Sequence, residues 1–310
     1  MQNGVVLILL SVALTPVGDA LSKDVGANMP PILVVFARYL VAGAIAGMLA
    51  TIWRVPLAIP RDVRVPLILQ SALVIGAMTM LIIALSKVPL ALAVGGFLVA
   101  PIVAVVIATL AFGETLTPAR AIGAMLSFLG ALLILRPTGG LETGVLIAIG
   151  GGVLLGLFLA LAGRNRLGLH PIVALMSQCL IGAAMLTPFA LLHISEFDPS
   201  MVFHIAALGS LTASTHFLTV AAYQRSAAAV LAPFFYFNLV IALAIGFFWF
   251  NEVPKITALC GLSLIAFGGV LAVLPARQPR NRSRFSRLWA KPVTVGRRHL
   301  MPRPGPLGKR

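Results

Sequence analysis

Charge is scarce in this sequence. Only 10% of its 310 residues are Asp, Glu, Lys or Arg, where soluble domains carry about 25%. That shortage excludes an ordinary water-soluble globule. Cysteine is nearly absent as well. Cys179 and Cys260 are the two present, too few for a disulfide framework or a metal-ligand pattern. Both lie in apolar runs and read as small buried hydrophobes. The five histidines, at 170, 193, 204, 216 and 299, form no HxxxH or HExxH pair, which weakens any metalloenzyme reading. No phosphate loop is present, because the Gly150-Gly151-Gly152 run lacks a following Lys-Ser or Lys-Thr. The N-terminus has no basic n-region, so the apolar run from Gly4 reads as a membrane helix rather than a cleaved leader.

Long apolar segments fill the chain instead. It is 60% hydrophobic, with a mean hydropathy of +1.04. A membrane-crossing helix needs roughly 20 mostly apolar residues. Ten such runs are predicted, at 4–22, 32–53, 64–86, 90–112, 119–136, 143–163, 171–193, 201–223, 228–250 and 256–274. Strand alternation of the kind that builds membrane barrels does not occur. Pro30-Pro31, Pro89, Pro118, Pro171, Pro199 and Pro254 stand at or near run starts, where a missing N–H costs nothing.

The net charge of +15 is concentrated in one place. Residues Arg277 to Arg310 hold 11 of the 23 Lys and Arg and no acid, which leaves 12 minus 8, or +4, for the rest. The sequence pI near 11.5 therefore describes a tail, and nucleic-acid binding is not read from it. The tail is rich in Pro and Arg without apolar periodicity, the composition of a disordered segment. Its functional reading is contact with anionic lipid headgroups; the plainer reading, and the one preferred, is a topology anchor with no further role. Basic residues 54, 61, 64, 120, 164, 166 and 225 fall in loops of one side, with the tail. Lys23, Lys87, Arg136 and Lys255 fall on the other, with Glu196 and Asp198. The positive-inside rule then puts both termini in the cytoplasm.

A repeat organises these runs. Ala84–Pro137 aligns without a gap to Ala222–Pro275, with 12 of 54 positions identical. The informative identities are those hydrophobicity does not force: Phe112 and Phe250, Glu114 and Glu252, Gly123 and Gly261, Gly130 and Gly268, Pro137 and Pro275. Each half holds five runs, and an odd number makes the second half enter the bilayer from the opposite side. The fold class expected is an all-α integral membrane protein of ten transmembrane helices, arranged as two inverted five-helix repeats. Residues 1–137 form the first repeat, 138–275 the second and 276–310 the tail. Such repeats recur in transporters, with the site near the midplane between them. Gly43 and Gly47, and the ladder Ala148, Gly152, Gly156, Ala160, mark faces where helices approach closely.

Phe112-Gly-Glu-Thr-Leu-Thr-Pro118, followed by Gly123 and Gly130, resembles the signature of the drug/metabolite transporter superfamily in its EamA family. Phe250-Asn-Glu-Val-Pro254 carries the pattern again, with Asn251 in place of the usual Gly. Ala232-Pro-Phe-Phe-Tyr236 through Asn238 and Gly246 resembles that family's ninth helix, and Asp19 to Lys23 with Arg38 resembles its first two. The resemblance spans residues 4 to 275. It implies a ten-helix carrier of the bacterial inner membrane, with a solute-selecting central cavity.

Polar groups inside a membrane are costly, so each is a functional candidate. Ser11, Thr15, Asp19 and Ser22 share one face of the first run, and Thr212, His216, Thr219 and Tyr223 one face of the eighth, with Thr215 beside them. These stripes predict a wet cavity whose candidates are Asp19, Thr212, His216, Thr219, Tyr223, Tyr236 and Asn238. The alternative for each hydroxyl is a bond to the carbonyl one turn back. Asp19 stands four residues from Lys23, so an ion pair at the membrane surface competes with a cavity role. His216 reads as a hydrogen-bonded structural residue or a proton-coupling group. Arg38 always keeps its charge and reads as a structural clamp. Glu114 and Glu252 end helices in both repeats, which suits capping. Pro233 should kink the ninth run, and Tyr236 and Trp249 offer stacking. No catalytic residue, metal or cofactor is expected. Two functional classes stand: a gradient-driven carrier of small organic metabolites, and a membrane-embedded enzyme or receptor-like protein without transport. Candidate partners are a small-molecule metabolite, the lipid bilayer and a second copy of the chain.

Overall fold

Prolines set the frame of the fold. The structure, a computed structural model, describes residues 2–113, 117–135, 142–164, 168–226 and 228–250, together with 260, 261, 263, 264, 267, 268 and 271. Glu114, Glu252 and the basic tail lie outside the described residues. Regular structure among the described residues is helical. In order the helices are α1 (Gln2–Val25), α2 (Pro31–Ile52), α3 (Arg61–Leu85), α4 (Leu90–Phe97), α5 (Ala100–Leu110), α6 (Pro118–Leu135), α7 (Thr143–Arg164), α8 (Pro171–Leu192), α9 (Val202–Arg225), α10 (Ala228–Leu231) and α11 (Phe237–Phe250). Pro31 and Pro171 occupy first helical positions, and Pro30, Pro60 and Pro89 hold the extended backbone just before a helix. Between α8 and α9, Asp198 accepts from the Ser200 N–H at 2.9 Å. Ser200, by its side chain first and this backbone bond second, holds the Asp198 carboxyl below the usual carboxylate range. His193 and Glu196 pair beside it at 2.7 Å.

Seven stretches among the described residues are long and apolar enough to cross a membrane, and shorter apolar helices run over Ala121–Gly130 and Phe234–Trp249. This is a multi-pass membrane protein. The described positions of the last predicted run, 256–274, are helical.

The fourth run departs from its prediction. It was expected as one helix over 90–112, but it breaks into α4 and α5 at Leu98–Val99. Pro101 explains the break: it has no N–H for the Phe97 carbonyl, and its ring crowds that carbonyl. Gly95 and Gly96 weaken the preceding turn. The second half breaks at the matching place. Ala232–Tyr236 is 3₁₀ between α10 and α11, where Pro233 likewise removes a donor.

The packing pairs obey an exchange rule. α2 packs on α8. α1 packs on α9 and α3 on α7. α5 packs on α7 and α1 on α11. Swapping each helix for its counterpart in the other half turns every one of these pairs into another or into itself. Small residues permit the closest approaches. A Cβ on Gly152 would stand 2.5 Å from the Phe97 carbonyl oxygen, and one on Gly156 2.6 Å from Val103 Cβ. The ladder on α7 thus seats the broken fourth span. Gly43 gives the same room between α2 and Leu180 of α8. Cys179 is buried as expected. Cys260 is exposed, contrary to expectation.

Candidate functional site

The helix breaks open a cavity between the halves. It is walled by α1 and α2, by α3, α4, α5 and α7, and by α9 and the start of α11. About 80 Å³ of it is open to the centres of water molecules, room for several waters. Much of the lining is apolar, with Leu81, Phe97, Leu155, Phe158 and Phe235. Its polar groups come from the two predicted stripes and from Arg38, Tyr39 and Asn238.

On α1, Thr15 Oγ1 donates to the Ser11 carbonyl at 2.8 Å, and Ser22 Oγ to the Gly18 carbonyl at 2.7 Å. On α9, Thr212 Oγ1 donates to the Leu208 carbonyl at 2.8 Å and Thr215 Oγ1 to the Thr212 carbonyl at 3.3 Å. The bond one turn back is therefore real, yet it leaves the oxygen lone pairs free. Ser11 joins the helices by donating to the Thr215 carbonyl at 2.8 Å. Its one hydrogen is engaged there, so Thr219 is the donor in the 2.8 Å Ser11–Thr219 contact.

Arg38 is the hub. It is 6% exposed. Its Nε donates to Thr212 Oγ1 at 3.0 Å and its Nη1 to Ser22 Oγ at 3.3 Å, tying α2 to both stripes. Its guanidinium carbon also stands 5.9 Å from the Tyr39 ring centroid, within cation–π range. Asp19 shares the cavity with it, 3% exposed. Among the described residues the Asp19 carboxylate makes no hydrogen bond and no ion pair. Asn238, one residue past the second break, is 8% exposed, and its Oδ1 has no partner.

His216 stacks on Phe158, ring centroids 5.9 Å apart and planes 20° from parallel. Its Nε2 lies 2.8 Å from Gln178 Oε1, and Gln178 Nε2 donates to Gln70 Oε1 at 3.1 Å. With the amides in this orientation, the histidine donates. Of the predicted cavity residues, Asp19, Thr212, His216, Thr219 and Asn238 line the cavity. Tyr223 and Tyr236 are buried but are not among the lining residues. Tyr223 packs against Phe235 instead, centroids 6.3 Å apart. Lys23 is half-buried outside the lining, and Trp249 is exposed. Pro233 marks the 3₁₀ break.

The sequence profile of the EamA-like transporter family matches residues 2–136 and matches again over 142–274. The chain belongs to the EamA-like transporter family. It carries two EamA repeats, and the members of the family are transporters. No curated protein matches it in sequence. A protein crystal structure of 20% identity superposes with a TM-score of 0.74, over 89% of this chain and 99% of its own, and so shares the fold.

In this EamA-like transporter, sequence reasoning missed Gln70, Gln178, Tyr39 and Phe158. Gln70 and Gln178 were legible: each is a lone amide in an apolar run, as unusual there as Asp19. Tyr39 and Phe158 carried no signal, since aromatic residues are common in apolar helices.

Proposed function

We propose that the chain is a secondary carrier of small organic metabolites in the cytoplasmic membrane, working by alternating access around this cavity. Its ten helices form two inverted five-helix repeats, and both termini face the cytoplasm. One observation carries the reading: a water-accessible cavity that holds buried Asp19 and Arg38 lies at the junction of the two halves, beside both broken helices. Discontinuous helices around a junctional site are the construction of carriers. The exchange rule in the packing supports a pseudo-twofold axis, and five spans per half would put that axis in the membrane plane. No nucleotide loop accompanies the spans, so flux would follow a gradient.

Reconstituted vesicles test this. Counterflow of labelled metabolites should exceed that of empty vesicles and should saturate. Vesicles that hold folded protein and move no metabolite from a broad panel would favour the enzyme or receptor reading. Reporter fusions after Arg310 should give cytoplasmic-type activity; periplasmic-type activity would refute the ten-span topology.

A further inference from the structure

The cavity is lopsided in its hydrogen bonding. The hydroxyl hydrogens of Thr15, Thr212 and Thr215 are engaged by carbonyls of their own helices, and that of Thr219 by Ser11. What these groups offer the cavity is oxygen lone pairs. The Asp19 carboxylate is acceptor-only when ionised, and the Asn238 Oδ1 has no donor. On the lining, Arg38 spends two of its five N–H groups on Thr212 and Ser22, and Asn238 also carries an amide NH2. A buried carboxylate without a hydrogen bond is costly, and a cationic donor from outside the protein would satisfy it. Phe97, Phe158 and Phe235 on the same lining offer no polar side-chain atom.

We propose that the cavity receives a protonated amine with an apolar body, with Asp19 as its counter-ion, Thr219 and Asn238 Oδ1 accepting its N–H groups, and Phe158 and Phe235 against its hydrocarbon part. An ammonium has three N–H donors and matches a wall of acceptors. A carboxylate or phosphate meets the like charge of Asp19 and the acceptor oxygens of the threonines, with Arg38 alone in its favour. An alcohol brings one donor and no charge to Asp19. This assignment rests on the cavity being the transport site and adds the solute's class.

The test uses the purified full-length protein in detergent and three probes of one length: pentylamine, 1-pentanol and pentanoate. Ligand binding to the folded state raises the unfolding midpoint. Pentylamine should raise it in a saturable way, while pentanol and pentanoate at equal concentration should not. The isosteric Asp19→Asn should weaken pentylamine binding roughly ten- to hundredfold, the range expected for losing a charge-assisted bond. Thr219→Val should weaken it several-fold. An equal response to pentanol or to pentanoate overturns the proposal, as does unchanged amine affinity in Asp19→Asn. If Asp19→Asn does not fold, the probe series on the native chain and Thr219→Val still decide. Amine binding without flux in vesicles would refute the carrier reading alone; flux of other metabolites without amine binding would refute this assignment alone.

Discussion

Arg38 shows why a charge can be kept in the membrane interior. Three helices meet at its fork: its own, Ser22 on α1 and Thr212 on α9. A lysine carries the charge but not the planar, divergent donors. Arg38→Lys is therefore expected to lower stability by about 1–3 kcal/mol, the cost of leaving a buried partner unsatisfied. Thermal unfolding in detergent would read it, and an unchanged midpoint would show that the bridge contributes nothing. His216 is a parallel case. It was legible as a lone intramembrane histidine, but its partner was not, because Gln178 lies 38 residues away and neither local sequence nor period connects them. The spacing of Asp19 to Lys23 left a surface ion pair and a cavity role both open, and Asp19 is 3% exposed and lines the cavity with Arg38. Sequence spacing reports neighbours along one helix and is silent about the helix that packs across from it.

Among the elements, the spans were easy to read and their interruptions were not. Apolar length, prolines at starts and the repeat fixed the helices to within a few residues, because bilayer thickness and backbone chemistry act locally. The break at Leu98–Val99 was missed although Gly95, Gly96 and Pro101 surround it; uniform hydropathy across the run hid a backbone event. The α7 ladder was read correctly, since small residues at four-residue spacing have few other uses in lipid. The ladder gives a sharp prediction. Gly152→Ala gains up to about 1 kcal/mol of helix propensity. Its Cβ would meet the Phe97 carbonyl oxygen at 2.5 Å, and backbone cannot swing aside. A net loss of about 1–3 kcal/mol is expected, as for other overpacked interiors. Gly18→Ala, whose Cβ would stand 3.9 Å from Leu211 Cβ, should leave the midpoint unchanged or raise it. Equal effects at both positions would show that the close approach is not what holds α7 against the fourth span.

For the whole molecule, the decisive property is which face of α9 meets water. The stripe read from sequence was Thr212, His216, Thr219 and Tyr223. The fold keeps the first three, adds Thr215 and buries Tyr223 away from the lining. The stripe drifts off the cavity toward the end of the helix because the cavity lies at the middle of α9, where the broken spans leave room. Beyond Thr219 the helix packs on its neighbours. Single cysteines in a background lacking Cys179 and Cys260 would test this with a water-soluble thiol reagent. Positions 212, 215, 216 and 219 should react, and a transported solute should protect them. Positions 218 and 221 should stay inert, as should 214, which is exposed on the outer surface of the helix and would face lipid. Position 223 separates the two pictures: a continuous stripe predicts labelling there, and the closed-off cavity predicts none. If access alternates, reagent from either side of the membrane should reach 216, at unequal rates that a saturating solute lowers. Equal rates unaffected by solute would describe an open pore, and labelling from one side only would describe a receptor pocket.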